Sequence, residues 1–261
     1  MKIQEIVVRT ILGSSQIADY TINPYIGCSH ACAYCYAYYY TRRIYGIRDP
    51  WGTYVYIKKN APALLRAEMK YKDPGSIYLS SLTDPYQPLE NTRRTTREIL
   101  ETIAEYDWPV IVQTKSALVT RDLDILSRMS SVTVGFTIIT ADERLRNFLE
   151  PGASSTAARV SALRRIKEEG IKTFVFIGPI MPGTKIRDIA KIVELTLEHA
   201  DLYYFDRLNV KPYMWYNMER KLPSSLVDFY KTMIASGYYN TIKKEIEELA
   251  KDLGIDYVIL F

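Results

Sequence analysis

The sequence is poor in cysteine, glutamine and asparagine and lacks any long apolar run. Its 261 residues include three Cys, four Gln and seven Asn. An odd set of three Cys cannot pair off as disulfides, and the short loops between them suit disulfide geometry poorly. No stretch of about eighteen apolar residues occurs, so no transmembrane helix is expected. Met1-Lys2-Ile3-Gln4-Glu5 has no signal-peptide pattern, and a cytoplasmic location is the expectation. Low-complexity tracts, long linkers and internal repeats are absent as well. The net charge of +4, from 34 Lys+Arg against 30 Asp+Glu, permits an anionic substrate or nucleic acid but argues for neither. Few thermolabile amides beside 22 Tyr fit a heat-tolerant protein.

What is present is concentrated. All three Cys stand in the run Gly27-Cys28-Ser29-His30-Ala31-Cys32-Ala33-Tyr34-Cys35-Tyr36. Random placement of three Cys would give C-x3-C-x2-C roughly once in ten thousand chains of this length. Thiolates so close on one loop can converge on one metal centre. A structural zinc site takes four protein ligands, and His30 can complete a Cys3His set, which is the alternative without redox chemistry. A redox pair of Cys32 and Cys35 lacks its strand–C-x-x-C–helix context and leaves Cys28 unexplained. Three thiols with a vacant fourth position favour catalysis over structure.

Strand-like and helix-like segments alternate along the chain. Strands are expected at Tyr20-Thr21-Ile22-Asn23, Ser76-Ile77-Tyr78-Leu79-Ser80, Val110-Ile111-Val112-Gln113, Val132 to Ile139, Thr173 to Ile177 and within Asp201 to Val210. A further β-like run, Val55 to Lys59, precedes a helix capped by Asn60 with Pro62 in its first turn. Helices are expected over Thr92 to Tyr106, from a cap at Thr120 or Asp122 to Met129, from Ser155 or Thr156 to a stop at Gly170, and over Asp188 to His199. Apolar strands followed by helices of this length imply a parallel sheet covered on both faces. Six units predict a partial (β/α)6 TIM-like barrel with an N-terminal extension. Residues 1–215 would form the barrel, including the Cys loop at 24–36. Residues 216–261 would be a C-terminal helical segment on the same domain, ending in a strand at Tyr257 to Leu260.

In barrel-like α/β folds chemistry sits at the C-terminal ends of the strands. The Cys loop follows the first strand. Ser80-Ser81-Leu82-Thr83-Asp84-Pro85-Tyr86-Gln87-Pro88 follows the second, Thr114-Lys115-Ser116 the third, and Thr137 lies late in the fourth. Lys115, emerging from an apolar strand, calls for an anionic partner. Asp84-Pro85 and Pro182-Gly183 are equally explained as turns, and Arg159 as a structural partner of Glu150.

The C-x3-C-x2-C spacing with Tyr34 before the third Cys resembles the signature of the radical S-adenosylmethionine (SAM) enzymes. Asn23-Pro24-Tyr25-Ile26-Gly27-Cys28, Lys59-Asn60-Ala61, Thr83-Asp84-Pro85-Tyr86-Gln87-Pro88, Thr114-Lys115-Ser116, Glu150-Pro151 with Arg159, and Pro179-Ile180-Met181-Pro182-Gly183 narrow the resemblance to the spore photoproduct lyase-related subgroup. That resemblance implies a [4Fe–4S] cluster on Cys28, Cys32 and Cys35, and SAM held by Tyr34, Tyr36, Thr83, Lys115 and Thr137. Ser81, Asp84 and Arg159 are neighbouring candidates. Tyr34 and Tyr36 would shield the cluster and steer the adenosyl group, and are the expected catalytic residues.

The expected reaction is reductive cleavage of SAM to a 5′-deoxyadenosyl radical that takes a hydrogen atom from substrate. A reductant such as ferredoxin or flavodoxin is implied, and a monomer is expected. Nucleic acid is one candidate substrate, since Tyr36, Tyr38, Tyr39, Tyr40, Tyr45, Tyr54 and Tyr56 stand near Arg42, Arg43 and Arg48. The alternative is that these aromatics merely cover the barrel mouth. The lyases return hydrogen from a Cys two residues before a SAM-contacting Ser. Ser81 occupies the matching position, and no thiol outside the triad exists to replace it. Lyase activity on spore photoproduct is therefore not expected, and the missing fourth Cys also excludes a Cys-ligated auxiliary cluster.

Overall fold

The computed structural model describes residues 1–261. Eleven strands run in chain order: β1 Lys2–Ile6, β2 Leu12–Ser14, β3 Tyr20–Ile22, β4 Tyr25–Ile26, β5 Tyr54–Lys58, β6 Ile77–Leu79, β7 Val110–Thr114, β8 Val132–Thr137, β9 Lys172–Ile180, β10 Leu202–Arg207 and β11 Tyr257–Ile259. Eight form one sheet in the order β11-β10-β9-β8-β7-β6-β3-β2, parallel throughout except for the antiparallel β2–β3 pair. The sheet curls without closing, with β2 and β11 as its free edges. This is the expected partial barrel, its six βα strands being β3, β6, β7, β8, β9 and β10.

The alternation within these strands separates two faces. Ile77, Leu79, Val110, Val112, Val134, Phe136, Val175, Ile177, Tyr203 and Phe205 are buried in one core with helix residues such as Ile99, Ile103, Leu163, Ile166, Ile189 and Ile192. Truncating any of the aliphatic members to Ala costs about 2–5 kcal/mol. The other face carries Tyr78, Gln113, Thr137, Phe176, Tyr204 and Asp206, and is the concave inner side of the curled sheet. The same core takes in Val227, Tyr230, Ile242 and Ile246 from the helices Ser224–Ala235 and Tyr238–Leu253.

Several local expectations need correction. Val55 to Lys59 does form a strand, but β5 pairs with β1 and β4 in a separate three-stranded sheet beside the barrel. Almost every residue of β1 is exposed, so the segment has no buried alternation to betray it. The helix expected over Thr92 to Tyr106 is two helices, Glu90–Arg93 and Thr95–Tyr106, broken at left-handed Arg94 (φ 55°). Glu90 explains the break: its buried carboxylate accepts from the Thr96 amide at 3.0 Å, the bond an N-cap would supply. The helix expected from Thr120 or Asp122 to Met129 starts earlier, as a 3₁₀ segment Ala117–Asp122 capped by the Ser116 hydroxyl, followed by only Leu123–Leu126.

Candidate active site

The Cys loop leaves β3, makes the short strand β4 and turns at Gly27. A side chain there would need φ of +89° and would place its Cβ 2.4 Å from the Tyr54 carbonyl, so only glycine fits. Cys28 and Cys32 are buried and Cys35 is half-buried. Burial pushes all three thiols up, Cys28 to about 12, while the cations of Lys115 and Lys221 pull on Cys35 in the opposite direction. Left alone the thiols are neutral, and a bound metal centre is what would ionise them.

The loop is fastened from four directions. The Ala33 amide donates to the Leu149 carbonyl at 2.8 Å and the Gly152 amide to the His30 carbonyl at 3.0 Å. Gly152 is a glycine because a Cβ would lie 2.4 Å from the Ser29 carbonyl. The Ser29 amide donates to Gln87 Oε1 at 2.8 Å. From the C-terminal segment, Asn217 Nδ2 donates to the carbonyls of Ala33 (2.7 Å) and Cys32 (3.3 Å), and Lys221 Nζ to those of Ala31 (2.7 Å) and Trp51 (3.1 Å). Asn217 and Lys221 had no local signal in the sequence. Their partners lie some 170–190 residues away.

The Cys3His zinc alternative does not match this geometry. His30 instead faces Asp84, its Nδ1 at 3.3 Å from Oδ2 but out of line for a hydrogen bond. Two buried thiols and one half-buried thiol on one loop, with His30 turned to Asp84, suit a cluster that takes three Cys and leaves one corner open.

Asp84, a neighbouring candidate for the cofactor site, is engaged by the protein itself. Its carboxylate accepts from Thr114 Oγ1 (2.6 Å), the Lys115 amide (2.8 Å) and the Tyr86 amide (2.9 Å). Burial would raise this carboxyl, but His30, Thr114 and Lys115 outweigh it and hold it well below the usual carboxylate range. Asp84 therefore ties the loops after β6 and β7 together. Arg159 is the structural partner of Glu150 that the sequence suggested. Its guanidinium is fully buried and donates to Glu150 Oε2 (2.5 Å), the Thr137 carbonyl (2.8 Å) and the Ser154 carbonyl (2.9 Å). Tyr34 donates to the other Glu150 oxygen, so the residue before Cys35 is anchored in the same buried group.

Other candidates keep contact with the mouth. Thr83 donates to the Gly27 carbonyl at 2.7 Å and accepts from Gln87 at 3.2 Å. Ser81 Oγ accepts from Thr21 and Asn23, and its carbonyl accepts from Tyr36. Tyr36 remains 43% exposed. Along the inner face of the neighbouring strands β6, β7 and β8, Tyr78 donates to Gln113 Oε1 at 2.5 Å, and Gln113 donates to Thr137 Oγ1 at 2.9 Å. Lys115 is half-buried, and its ammonium forms neither an ion pair nor a hydrogen bond. Burial opposes its charge, but the facing Cys32, Glu150, Asp84 and Cys35 more than restore it, so its pKa is raised.

The chain matches the Radical SAM superfamily model over residues 22–196, and it belongs to that superfamily. It is 36% identical over 235 residues to an uncharacterized protein of Methanocaldococcus jannaschii, covering 87% of each chain. It is 34% identical over 201 residues to an uncharacterized protein of Acidianus two-tailed virus, covering 73% of this chain and 66% of that one. Among solved structures, spore photoproduct lyase complexed with dinucleoside spore photoproduct superposes with a TM-score of 0.67 at 21% identity. The match takes in 85% of this chain and 66% of the lyase chain, and shows a shared fold. The protein is an enzyme of radical SAM type, a class that uses a [4Fe–4S] cluster and SAM. No helix is long and apolar enough to cross a membrane.

Proposed function

We propose that Cys28, Cys32 and Cys35 hold the [4Fe–4S] cluster and that Lys115, Thr83, Thr137 and Tyr36 position SAM above it. When bound, cluster and SAM together supply a 5′-deoxyadenosyl radical that takes a hydrogen atom from substrate. The single observation that carries this reading is that the three thiols of the loop lie within reach of one another and of one unpartnered ammonium, Lys115. Lys115 offers its charge to the SAM carboxylate. Tyr36 stands between the Cys loop and the loop after β6, its hydroxyl fixed on Ser81 and its ring half open. Tyr34, Glu150 and Arg159 keep the loop rigid and exclude water behind it. Asp84 and Arg159 act through the groups they position.

Anaerobic reconstitution with iron and sulfide, followed by dithionite and SAM, is the test. The expected result is a brown protein that forms 5′-deoxyadenosine, and replacement of any of the three Cys by Ala abolishes both. A colourless wild-type protein without SAM cleavage would overturn the reading.

A nucleic-acid substrate has one specific supporting observation. Tyr38, Trp51 and Tyr54 pack as a buried cluster that covers the loop. By contrast Tyr45, Tyr213 and Tyr216 are exposed, with Arg42 4.5 Å over the Tyr213 ring and Arg220 5.5 Å over Tyr216. Alternating aromatic faces and guanidinium groups suit a single strand. Binding of a single-stranded oligonucleotide that weakens steeply between 50 and 200 mM salt is expected. Salt-independent or undetectable binding would remove that substrate class. Hydrogen return from a protein thiol is not part of the proposal, because every Cys lies in the cluster loop.

A further inference from the structure

Arg97, Arg121, Arg146 and Arg159 are each at least half-buried, and each pairs with a carboxylate at 2.9 Å or less. Lys221 is half-buried too, and no carboxylate meets it. Its ammonium donates instead to the Ala31 carbonyl at 2.7 Å and the Trp51 carbonyl at 3.1 Å. Carbonyl dipoles solvate a cation but leave its charge in place, and a desolvated cation calls for an anion.

The fold brings this charge to the Cys loop by a specific route. Met214 and Met218 are buried in the core and fix the helix Met214–Glu219. Asn217 and Lys221, one turn apart, therefore share a side, and both donate to carbonyls of the loop. Ala31, between Cys28 and Cys32, is left-handed (φ 55°). It lies so close to Gly52 that a Cβ on residue 52 would come within 2.3 Å of the Ala31 Cβ. Lys221 thus spans two segments pressed together beside the thiols. The Ala31 carbonyl belongs to the peptide unit entering Cys32, so covalent geometry holds the ammonium within about 8 Å of the Cys32 sulfur. Burial lowers the Lys221 pKa, and the chief groups opposing that shift are Cys32, Cys35 and Cys28.

We propose that Lys221 is a redox-tuning residue, its fixed positive charge easing reduction of the centre held by Cys28, Cys32 and Cys35. The proposal rests on the cluster reading above. Uptake of one electron from an external reductant adds one negative charge to a centre already bound by three thiolates, with no bond broken and no proton moved. A cation beside the loop stabilises that added charge. At about 8 Å in a partly dry site, one unit charge changes a one-electron equilibrium about tenfold. Net charge and hydrogen bonding around the sulfurs are the levers by which a protein sets such a potential. The two lysines near the thiols then have different tasks. Lys115 keeps a free ammonium for SAM, whereas Lys221 is held by carbonyls and serves the cluster.

The experiment is a redox titration of reconstituted holoenzyme with dithionite and mediators, without SAM, read by electron paramagnetic resonance of the reduced cluster. Lys221→Gln should be about tenfold less reduced at a given potential, a shift of about 59 mV to lower values for a one-electron couple. Lys221→Met, also uncharged, serves where the Gln variant does not fold. Lys221→Arg, which keeps the charge, should stay at the wild-type potential. Asn217→Ala loosens the same loop without a change of charge and should stay there too. SAM affinity should match wild type in all four, in contrast to Lys115→Ala. A wild-type potential in K221Q or K221M would overturn the proposal, as would a fall in K221R as large as theirs. An equal fall in N217A would overturn it by tracing the shift to loop loosening. Loss of the fold or the cluster in both uncharged variants would do the same, leaving Lys221 an anchor only. Failure of the wild type to assemble a cluster would instead overturn the underlying reading.

Discussion

The two walls of the barrel mouth differ in how fully their polar groups are partnered. On the Cys-loop side, Glu150 is shared by Arg159 and Tyr34, Asp84 accepts from Thr114 and two amides, and Asn217 and Lys221 close over the loop carbonyls. On the open wall, the Lys115 ammonium after β7 and the Asp206 carboxylate on β10 make no ion pair and no side-chain hydrogen bond. The first wall holds a loop still, which requires buried polar groups to be satisfied. The second receives ligands, and a group already satisfied by the protein would have little left to offer them.

Breaking the partnered wall should have the largest effect. Arg159→Met leaves the Glu150 carboxylate buried and uncompensated, a loss of about 3–5 kcal/mol. Urea denaturation of the apoprotein measures it, and Glu150→Leu in the same chain should recover most of the loss. A change below about 1 kcal/mol would mean the pair does not hold this wall. Asn217→Ala comes next, at about 1–3 kcal/mol for two buried carbonyls left without a donor. Iron should be extracted faster by a chelator in this variant while the far-UV circular dichroism of the barrel stays unchanged.

Substitution on the open wall should behave in the opposite way. Lys115→Ala leaves thermal stability and iron content as they were and weakens SAM binding about tenfold, near 1.4 kcal/mol. Loss of the cluster in that variant would move Lys115 into the partnered wall and erase the contrast. The smallest effect is one of pH. Asp84 and Glu150 are both held below the usual carboxylate range. The unfolded chain therefore takes up protons first. The stability these groups contribute is fully present above about pH 5 and declines as pH falls through their folded values. Urea titrations at descending pH should show a shallower decline for Asp84→Asn than for wild type.

Much of this architecture was legible from residue patterns. The strands rich in Val and Ile announced themselves through apolar alternation, and the Cys loop through spacing alone. Lys115 was legible because a cation at the end of an apolar strand needs an anion. The break at Arg94 was not, since it depends on Glu90 reaching the Thr96 amide. Strand β1 was missed because it lies on the surface with no apolar period. The pairing of Arg159 with Glu150 was legible from the sequence, whereas the network that Asp84 makes with Thr114 and two amides was not, because sequence shows a group's chemistry and not its partners. Asn217, Lys221 and Asp206 carry no local mark at all.

The sequence by itself pointed to the metal chemistry, because three thiols within eight residues of one loop can be brought to one centre by a local turn of the chain. It also determined the sheet, because burial on both faces demands apolar strands. Only the tertiary structure decided which polar groups are free to act. That depends on partners brought from as far as 190 residues away, and hydrogen bonds over such separations leave no periodic trace in the sequence.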